Sequence, residues 1–127
     1  MFEKIEAYLT KKKIEVERAE DEECVTLSFM YKIPSLEFPC EIGFDKAGKY
    51  VRFYSELLEF DEEDLDFAYK TANDLNLEAF YLKLYISEEN VLCAEYYLDS
   101  KNLKVKEFRN IASDFKAMNS KIKKLVK

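Results

Sequence analysis

The sequence predicts an α+β domain in which three helices pack on an antiparallel sheet of five to six strands. Three observations lead to this prediction. Segments with an apolar residue at every second position follow one another and are separated by short turn sequences. Segments with apolar spacings of three and four stand near both ends of the chain and once in its middle. The positions of these segments predict the order α-β-β-β(-β)-α-β-β-α. Because strands joined by hairpins form antiparallel sheets, the sheet is predicted to be antiparallel.

The composition fits a single domain over residues 1–127. Of the 127 residues, 48% are apolar, and only two are glycine and two are proline. A chain of this length can bury a core without a metal or a disulfide. The N-terminus has no apolar signal-like region, and no apolar run approaches the roughly 20 residues of a membrane helix. An odd number of cysteines, three, suits a reducing compartment, so we expect a cytoplasmic protein. We expect no membrane partner, because the chain is acidic overall.

The first predicted helix covers residues 2–12, where Phe2, Ile5 and Leu9 form a narrow apolar stripe. Residues 13–19 alternate between apolar and charged side chains. They are predicted either as a short strand or as the frayed end of this helix. The acidic residues that follow are predicted as a turn.

Three longer strands are predicted next. Residues 24–33 alternate cleanly between apolar and polar side chains, and residues 38–44 repeat the pattern. Pro39 cannot donate a main-chain hydrogen bond, which favours an edge strand or a strand start. In the hairpin loop that follows, Gly48 is free to take a positive φ, and residues 49–56 form the return strand.

The second helix is predicted over residues 61–74. Asp61 is a suitable N-cap, and the acidic residues after it favour the positive end of the helix dipole. Asn73, Asp74 and Asn76 are predicted to end the helix. The acidic cluster could attract a divalent cation, but it lacks the glycine and the ligand spacing of an EF-hand loop. A capped helix start explains the cluster, so we predict no metal site.

The last hairpin and the last helix complete the predicted fold. Residues 79–87 form a strand with four side chains directed inward: Phe80, Leu82, Leu84 and Ile86. Asn90 can take the left-handed conformation in the turn, and residues 91–98 return. Residues 103–125 carry apolar side chains at spacings of three and four and are predicted as a long helix.

Several of these segments together carry a resemblance to a known family. They are the strand Tyr50–Tyr54, the helix Asp64–Leu75, the hairpin of residues 80–86 and 92–98, and the final helix with Phe108 and Phe115. In this order they resemble the YbjN-domain family, which shares the type III secretion chaperone-like fold. The resemblance covers nearly the whole chain. It implies a small acidic, non-enzymatic protein that binds other proteins in a chaperone-like or regulatory role. Secretion chaperones of this fold are typically homodimers that wrap an extended segment of a client.

The sequence excludes several classes of enzyme. It contains no histidine, so a Ser/His or Cys/His catalytic pair cannot form. Two glycines cannot supply the glycine-rich loops that bind nucleotides. Cys24, Cys40 and Cys93 form no CxxC pair, and Cys24 and Cys93 lie within predicted strands as small apolar fillers. We therefore expect a protein that is not an enzyme and has no cofactor.

The outer face of the last hairpin is the first candidate binding surface. If its leucines point inward, six residues point outward: Tyr81, Lys83, Tyr85, Cys93, Glu95 and Tyr97. Tyrosine is enriched at protein interfaces because it buries a large ring and keeps a polar tip. We predict that this face binds a protein client or a second copy of the chain. The alternative is that another helix covers it, or that these tyrosines are simply half-exposed.

The distribution of charge gives a second candidate. The net charge is −6, but residues 103–127 hold eight basic and two acidic residues, so they carry +6 and residues 1–102 carry −12. Five lysines crowd the end of the last helix: Lys116, Lys121, Lys123, Lys124 and Lys127. They suit the negative end of the helix dipole, and they predict an electrostatic contact within the chain or across a dimer. A nucleic-acid-associated regulator that binds through this basic helix is a weaker alternative, because the chain is acidic and has only three arginines.

These observations predict a homodimeric, chaperone- or adaptor-like protein-binding module, for which a regulatory role is one option. Binding would use the tyrosine-rich face and an edge strand open to β-augmentation. The alternative is a sensor that holds a small apolar ligand between the helices and the sheet, which a large apolar pocket there would favour.

Overall fold

The computed structural model describes residues 2–33, 36–99 and 105–125. The helices are α1 (Phe2–Lys11), α2 (Leu65–Glu78) and α3 (Val105–Leu125). The strands are β1 (Val16–Glu20), β2 (Cys24–Ile33), β3 (Leu36–Asp45), β4 (Tyr50–Glu59), β5 (Lys83–Ile86) and β6 (Val91–Asp99). The strands form one sheet in the order β1-β2-β3-β4-β6-β5, and every neighbouring pair is antiparallel. The predicted α+β class, with three helices and a six-stranded sheet, is confirmed.

One face of the sheet packs against the helices and forms the core. Alternating residues of β2, β3 and β4 share a buried cluster with residues of all three helices. Phe115 of α3 lies at its centre, with its ring 5.3 Å from Tyr31, 5.4 Å from Phe38 and 5.9 Å from Phe53. Burying an aromatic side chain of this size contributes about 1.5–3 kcal/mol, so Phe115 anchors α3 to the sheet.

Residues 16–20 form a strand and not the frayed end of α1. Lys13 has a φ of 62°, and the Ile14 N–H donates to the Leu9 carbonyl at 3.0 Å, while the Lys13 N–H donates to the Thr10 carbonyl at 2.9 Å. This pair of bonds is the Schellman ending of a helix. The chain therefore leaves α1 sharply and enters β1 as an extended segment.

Pro39 lies in an inner strand, so the prediction of an edge strand at this position is wrong. The pairing of β3 with β4 begins at Cys40, opposite Ser55, and does not include Pro39. The Ser55 hydroxyl instead donates to the Pro39 carbonyl at 2.8 Å. The missing N–H of Pro39 therefore interrupts no bond between β3 and β4, which is why proline is tolerated there.

The second helix begins and ends later than the sequence predicts. A 3-10 turn, Glu62–Asp64, precedes α2, and neither Asp61 nor Asp64 makes a capping hydrogen bond with its side chain. The helix then continues past Asn73 to Glu78. Leu75 is fully buried, and its packing outweighs the weak helix propensity of the neighbouring asparagines.

The fifth strand is shorter than predicted because a buried carboxylate accepts hydrogen bonds from the main chain of the residues just before it. Asp114 of α3 accepts hydrogen bonds from the N–H groups of Phe80 at 3.0 Å, Tyr81 at 2.7 Å and Leu82 at 2.8 Å. These donors cannot also pair with β6, so β5 begins only at Lys83. The prediction that Phe80 points inward is wrong, since its side chain is 90% exposed. The predicted left-handed turns at Gly48 (φ 73°) and Asn90 (φ 66°) are confirmed.

Candidate protein-binding surfaces

An arginine–glutamate pair organises the outer face of β4, β6 and β5. Arg52 lies opposite Tyr97, and Glu95 lies between Tyr54 and Lys83 across the strands. The Arg52 Nε donates to Glu95 Oε2 at 2.8 Å, and Arg52 Nη2 bonds the same oxygen. The guanidinium also stacks over the Tyr54 ring at 4.4 Å. These contacts fix the orientation of both charged groups, so this part of the face is rigid.

Cys93 lies beneath this cluster and is closed to partners. Its Sγ is 3.2 Å from the Tyr54 hydroxyl, which also donates to Glu56 Oε1 at 3.1 Å. Tyr85 stands opposite Cys93 on β5, and Cys93 is only 1% exposed. Burial, followed by the contact with Cys93, raises the pKa of Tyr54 above its ordinary value. Burial, followed by the charge of Glu95, raises the pKa of Tyr85. Both phenols are therefore neutral at physiological pH.

The structure brings four of the six predicted face residues together as surface groups: Lys83, Tyr85, Glu95 and Tyr97. Cys93 lies on the same face, as predicted, but Tyr54 covers it, so it is not an accessible binding group. Tyr81 is also wrongly predicted. Its ring lies 6.0 Å from Tyr96 on the helix side of the sheet, because its N–H is held by Asp114.

The sequence predicts Tyr54 beside the tyrosines of this face, and Arg52 is the member whose role that prediction missed. The only signal for Arg52 in the sequence is the alternation along residues 50–54, which places it on the polar side of β4. Tyr97 is 55% exposed, and the core residues of all three helices belong to the opposite face. Among the residues that the structure describes, no helix covers the outer face.

The β5 edge of the sheet is closed. The Asn76 side-chain Nδ2 donates to the Leu84 carbonyl at 3.0 Å, and the Leu84 N–H donates to Asn76 Oδ1 at 2.8 Å. The amide group thus occupies the hydrogen-bonding positions that an added strand would use. A partner strand cannot pair at Leu84 unless α2 moves away.

The opposite edge is open because β2 is longer than β1. The pairing of these strands runs from Glu20–Val25 to Val16–Phe29, whereas β2 continues to Ile33. The Asp21 N–H donates to the Cys24 carbonyl, so the even-numbered residues of β2 direct their main-chain groups toward β1. Lys32 therefore directs its N–H and carbonyl past the end of β1. None of the described strands pairs with it on that side.

A groove of about 860 Å³ lies along this open edge. The connection between α1 and β1 forms one wall, and the ends of β2 and β3 form the other. Ile14, Met30 and Tyr31 give it apolar surface, and Met30 is exposed. Its charged lining is mixed and consists of Lys12, Lys13, Lys32, Glu15, Glu17, Glu37 and Glu41.

A further exposed apolar surface lies on α2 and just after it. Leu77 is 80% exposed and Phe80 is 90% exposed, and Phe67 and Tyr69 are also exposed. The backbone at Phe80 is held by Asp114, so this ring projects from a fixed position. Leu77 and Phe80 are only three residues apart, and neighbouring exposed apolar groups are typical of interaction surfaces.

The basic end of α3 is only partly balanced within the chain. Lys121 Nζ lies 3.0 Å from Glu78 Oε1, which joins α3 to α2. Lys116 and Lys124 are exposed. Lys127 and the side chain of Lys123 lie outside the described part of the chain. None of the described helices is long and apolar enough to span a membrane.

Comparison with known proteins identifies the fold. No family model matches the chain, and no curated protein matches it in sequence. A chain of the solved structure "Structure of the HopA1-SchA Chaperone-Effector Complex" is similar to it, with a TM-score of 0.57 and 16% sequence identity. The match covers 90% of this chain and 86% of that one. The chain has a type III secretion chaperone-like fold. Membership in the YbjN-domain family stays a prediction.

Proposed function

We propose that this protein is a non-enzymatic, chaperone-like module that binds an extended segment of another protein by strand addition to β2. The observation that carries the proposal is the open main chain of Lys32 beside the groove at the β1–β2 edge. The similar solved structure is a chaperone–effector complex, which supports a protein client as the partner. Main-chain hydrogen bonds would supply affinity, and alternate side chains of the segment would supply specificity.

The groove defines the kind of segment that fits. The free part of β2, residues 30–33, is about 13 Å long at 3.3 Å per residue, so about four client residues pair with it. Client side chains on the helix side meet Ile14 and Tyr31, and those on the other side meet Met30 and Lys32. An apolar residue at every second position matches this lining.

The tyrosine-rich outer face extends the proposed client site. Three strand spacings, about 15 Å, separate β2 from β6. A segment that leaves the edge can cross this distance and contact Tyr97, Tyr85 and Lys83. Arg52 contacts Tyr97 and Glu95 accepts a hydrogen bond from Tyr85, so these two rings lose little conformational entropy on binding.

We also propose a homodimer, with its interface on α2. Leu77 and Phe80 are the most exposed large apolar side chains among the described residues. A two-fold interface brings the same patch of both copies together, so an apolar patch buries its counterpart. This placement leaves the β1–β2 edge and the outer face accessible to the client.

The cysteines support a non-enzymatic protein of the cytoplasm. Cys24, Cys40 and Cys93 are all free, which suits a reducing compartment. Burial raises the pKa of Cys40 to about 12, so its thiol is not a ready nucleophile. The small-ligand alternative gains no support, because Leu27, Leu75 and Met118 are fully buried in the core that the helices share with the sheet.

The test of the client site is a pair of substitutions at one residue. Lys32→Pro removes the N–H that faces the open edge, whereas Lys32→Ala removes the side chain and keeps the N–H. Random short peptides are selected on the wild-type protein, and their affinities for both variants are measured after circular dichroism has shown that the variants fold. We expect binding to weaken about tenfold or more on Lys32→Pro and to stay near wild type on Lys32→Ala. Peptides that bind Lys32→Pro as tightly as wild type would refute strand addition at this edge.

A further inference from the structure

A basic stripe runs along the solvent face of α3. Five exposed cations form it: Lys106, Arg109, Lys116, Lys121 and Lys124. At 100° per residue they fall within an arc of about 140°, and they extend over about 27 Å of helix. The exposed residues Ser113 and Ala117 lie between them. We refer to these five residues as the basic stripe.

The two acidic residues of α3 do not neutralise the basic stripe. Asp114 is buried and binds the main chain of residues 80–82. Glu107 is half-buried, accepts a hydrogen bond from Asn110 at 3.3 Å and lies on the flank near Tyr96. Neither acidic residue of α3 therefore neutralises the basic stripe.

The stability of the helix does not explain the basic stripe. Cations favour the C-terminal turn of a helix, which accounts for Lys121 and Lys124. Lys106 lies in the first turn, where the helix dipole disfavours a cation, and Arg109 adds a like charge three residues later. Of the five residues of the basic stripe, only Lys121 has a carboxylate within salt-bridge distance among the described residues, and this carboxylate is Glu78. The other four cations of the stripe have no carboxylate partner among the described residues.

We propose that the basic stripe is a second binding site, which takes a short acidic segment of a partner protein. A segment of about eight extended residues matches the length of the stripe. The body of the chain, residues 1–102, carries −12 and repels a long polyanion or an anionic membrane. A short segment lies within about 10 Å of the stripe, where the local positive charge dominates over the screened body. The described exposed positions of the stripe include no aromatic side chain on which a nucleotide base could stack, which disfavours single-stranded nucleic acid.

This site is independent of the proposed client groove. The groove takes an extended segment with alternate apolar residues, whereas the basic stripe takes acidic residues. Failure of one site leaves the other untouched, because the test variants and the probes differ.

The test uses the full chain and a fluorescein-labelled peptide of about eight residues that alternates glutamate and serine. Its anisotropy is measured at about 20 mM and about 150 mM salt, since screening weakens an electrostatic contact. The variant Arg109→Glu/Lys116→Glu changes the net charge by −4, from −6 to −10. The control Lys4→Glu/Lys49→Glu makes the same change at exposed residues that are not part of α3.

We expect the stripe variant to weaken peptide binding about tenfold or more at low salt and the control to weaken it no more than about threefold. Equal losses in both variants, or no peptide binding by wild type at low salt, would refute the proposal. So would tighter binding of an oligouridine of equal charge, which would indicate a nucleic-acid site. A fall in solution mass for the stripe variant alone would instead make a second copy of this chain the occupant, and would also refute it.

Discussion

The side-chain amide of Asn76 forms two hydrogen bonds with the main chain of Leu84, one in each direction, at 3.0 and 2.8 Å. By these bonds α2 closes the β5 edge of the sheet. At the other end of the sheet, β1 stops short of Lys32 and leaves the edge open. The two edges therefore differ at these residues. The main chain of Leu84 is already bonded, whereas that of Lys32 is paired by no described strand beside the groove.

Replacing Asn76 tests the closed edge. Asn76→Ala leaves the Leu84 N–H and carbonyl without partners next to a buried side chain. We expect the free energy of unfolding to fall by about 2 kcal/mol, measured by urea denaturation. Asn73→Ala, on an exposed position of the same helix, is the matched control and should change it by less than about 0.5 kcal/mol. Equal effects of the two variants would show that the Asn76 bonds contribute nothing.

Replacing Asp114 tests the contact that shortens β5. Asp114→Ala removes the acceptor of three main-chain hydrogen bonds, so we expect unfolding free energy to fall by about 3 kcal/mol or more. Amide hydrogen exchange at Phe80, Tyr81 and Leu82 should become faster than in wild type. Ser113→Ala, at the exposed neighbouring position, should alter neither quantity. Unchanged exchange at these three amides in Asp114→Ala would contradict the assigned role.

The half-buried phenols of Tyr54 and Tyr85 predict a loss of stability at high pH. The pKa values of Tyr54 and Tyr85 are raised in the folded chain by burial. The unfolded chain loses these protons near pH 10, while the folded chain keeps them. The contribution of the two protonated phenols to the free energy of unfolding is therefore complete below about pH 10, and it is lost as the pH rises above that value.

Tyr54→Phe checks this dependence. At pH 7 the variant should be about 0.5–1.5 kcal/mol less stable than wild type, because it loses the hydrogen bonds to Glu56 and Cys93. Above about pH 10 this gap, the difference in unfolding free energy between wild type and variant, should narrow, since the variant has one fewer phenol to ionise. Urea denaturation at both pH values measures the gap. A gap of constant size would mean that Tyr54 does not titrate differently in the folded and unfolded chains.

The proposed dimer is tested on its exposed apolar patch. Leu77→Ser/Phe80→Ser changes side chains that are 80% and 90% exposed, so the fold should persist. We expect the mass in solution to fall from that of a dimer to that of a monomer, measured by light scattering. Tyr50→Ser/Tyr97→Ser, on the outer face, should keep the dimer. A loss of the dimer in the outer-face variant alone would move the interface to the tyrosines.

Local patterns predicted most of the fold. Alternation over residues 24–33 gave the strand and its inward face, because the period of two is a property of the extended chain. Gly48 and Asn90 marked the turns because few residues accept a positive φ. These features depend only on neighbours in the sequence.

Features that depend on distant residues were not predictable in the same way. Phe80 is exposed because Asp114, 34 residues away, captures its N–H. Cys93 is buried on an outer face because Tyr54, 39 residues away, covers it. The open edge at Lys32 requires the register of β1 against β2, which no periodicity specifies.

Strand addition to β2 is tested most directly at the Lys32 amide. The isotope-labelled wild-type protein is titrated with a peptide selected on it, and amide hydrogen exchange is followed residue by residue. We predict that the Lys32 amide becomes strongly protected and shifts on binding, while the Leu84 amide at the closed edge does not change. A bound peptide that leaves the Lys32 amide in unaltered exchange would contradict the proposed function.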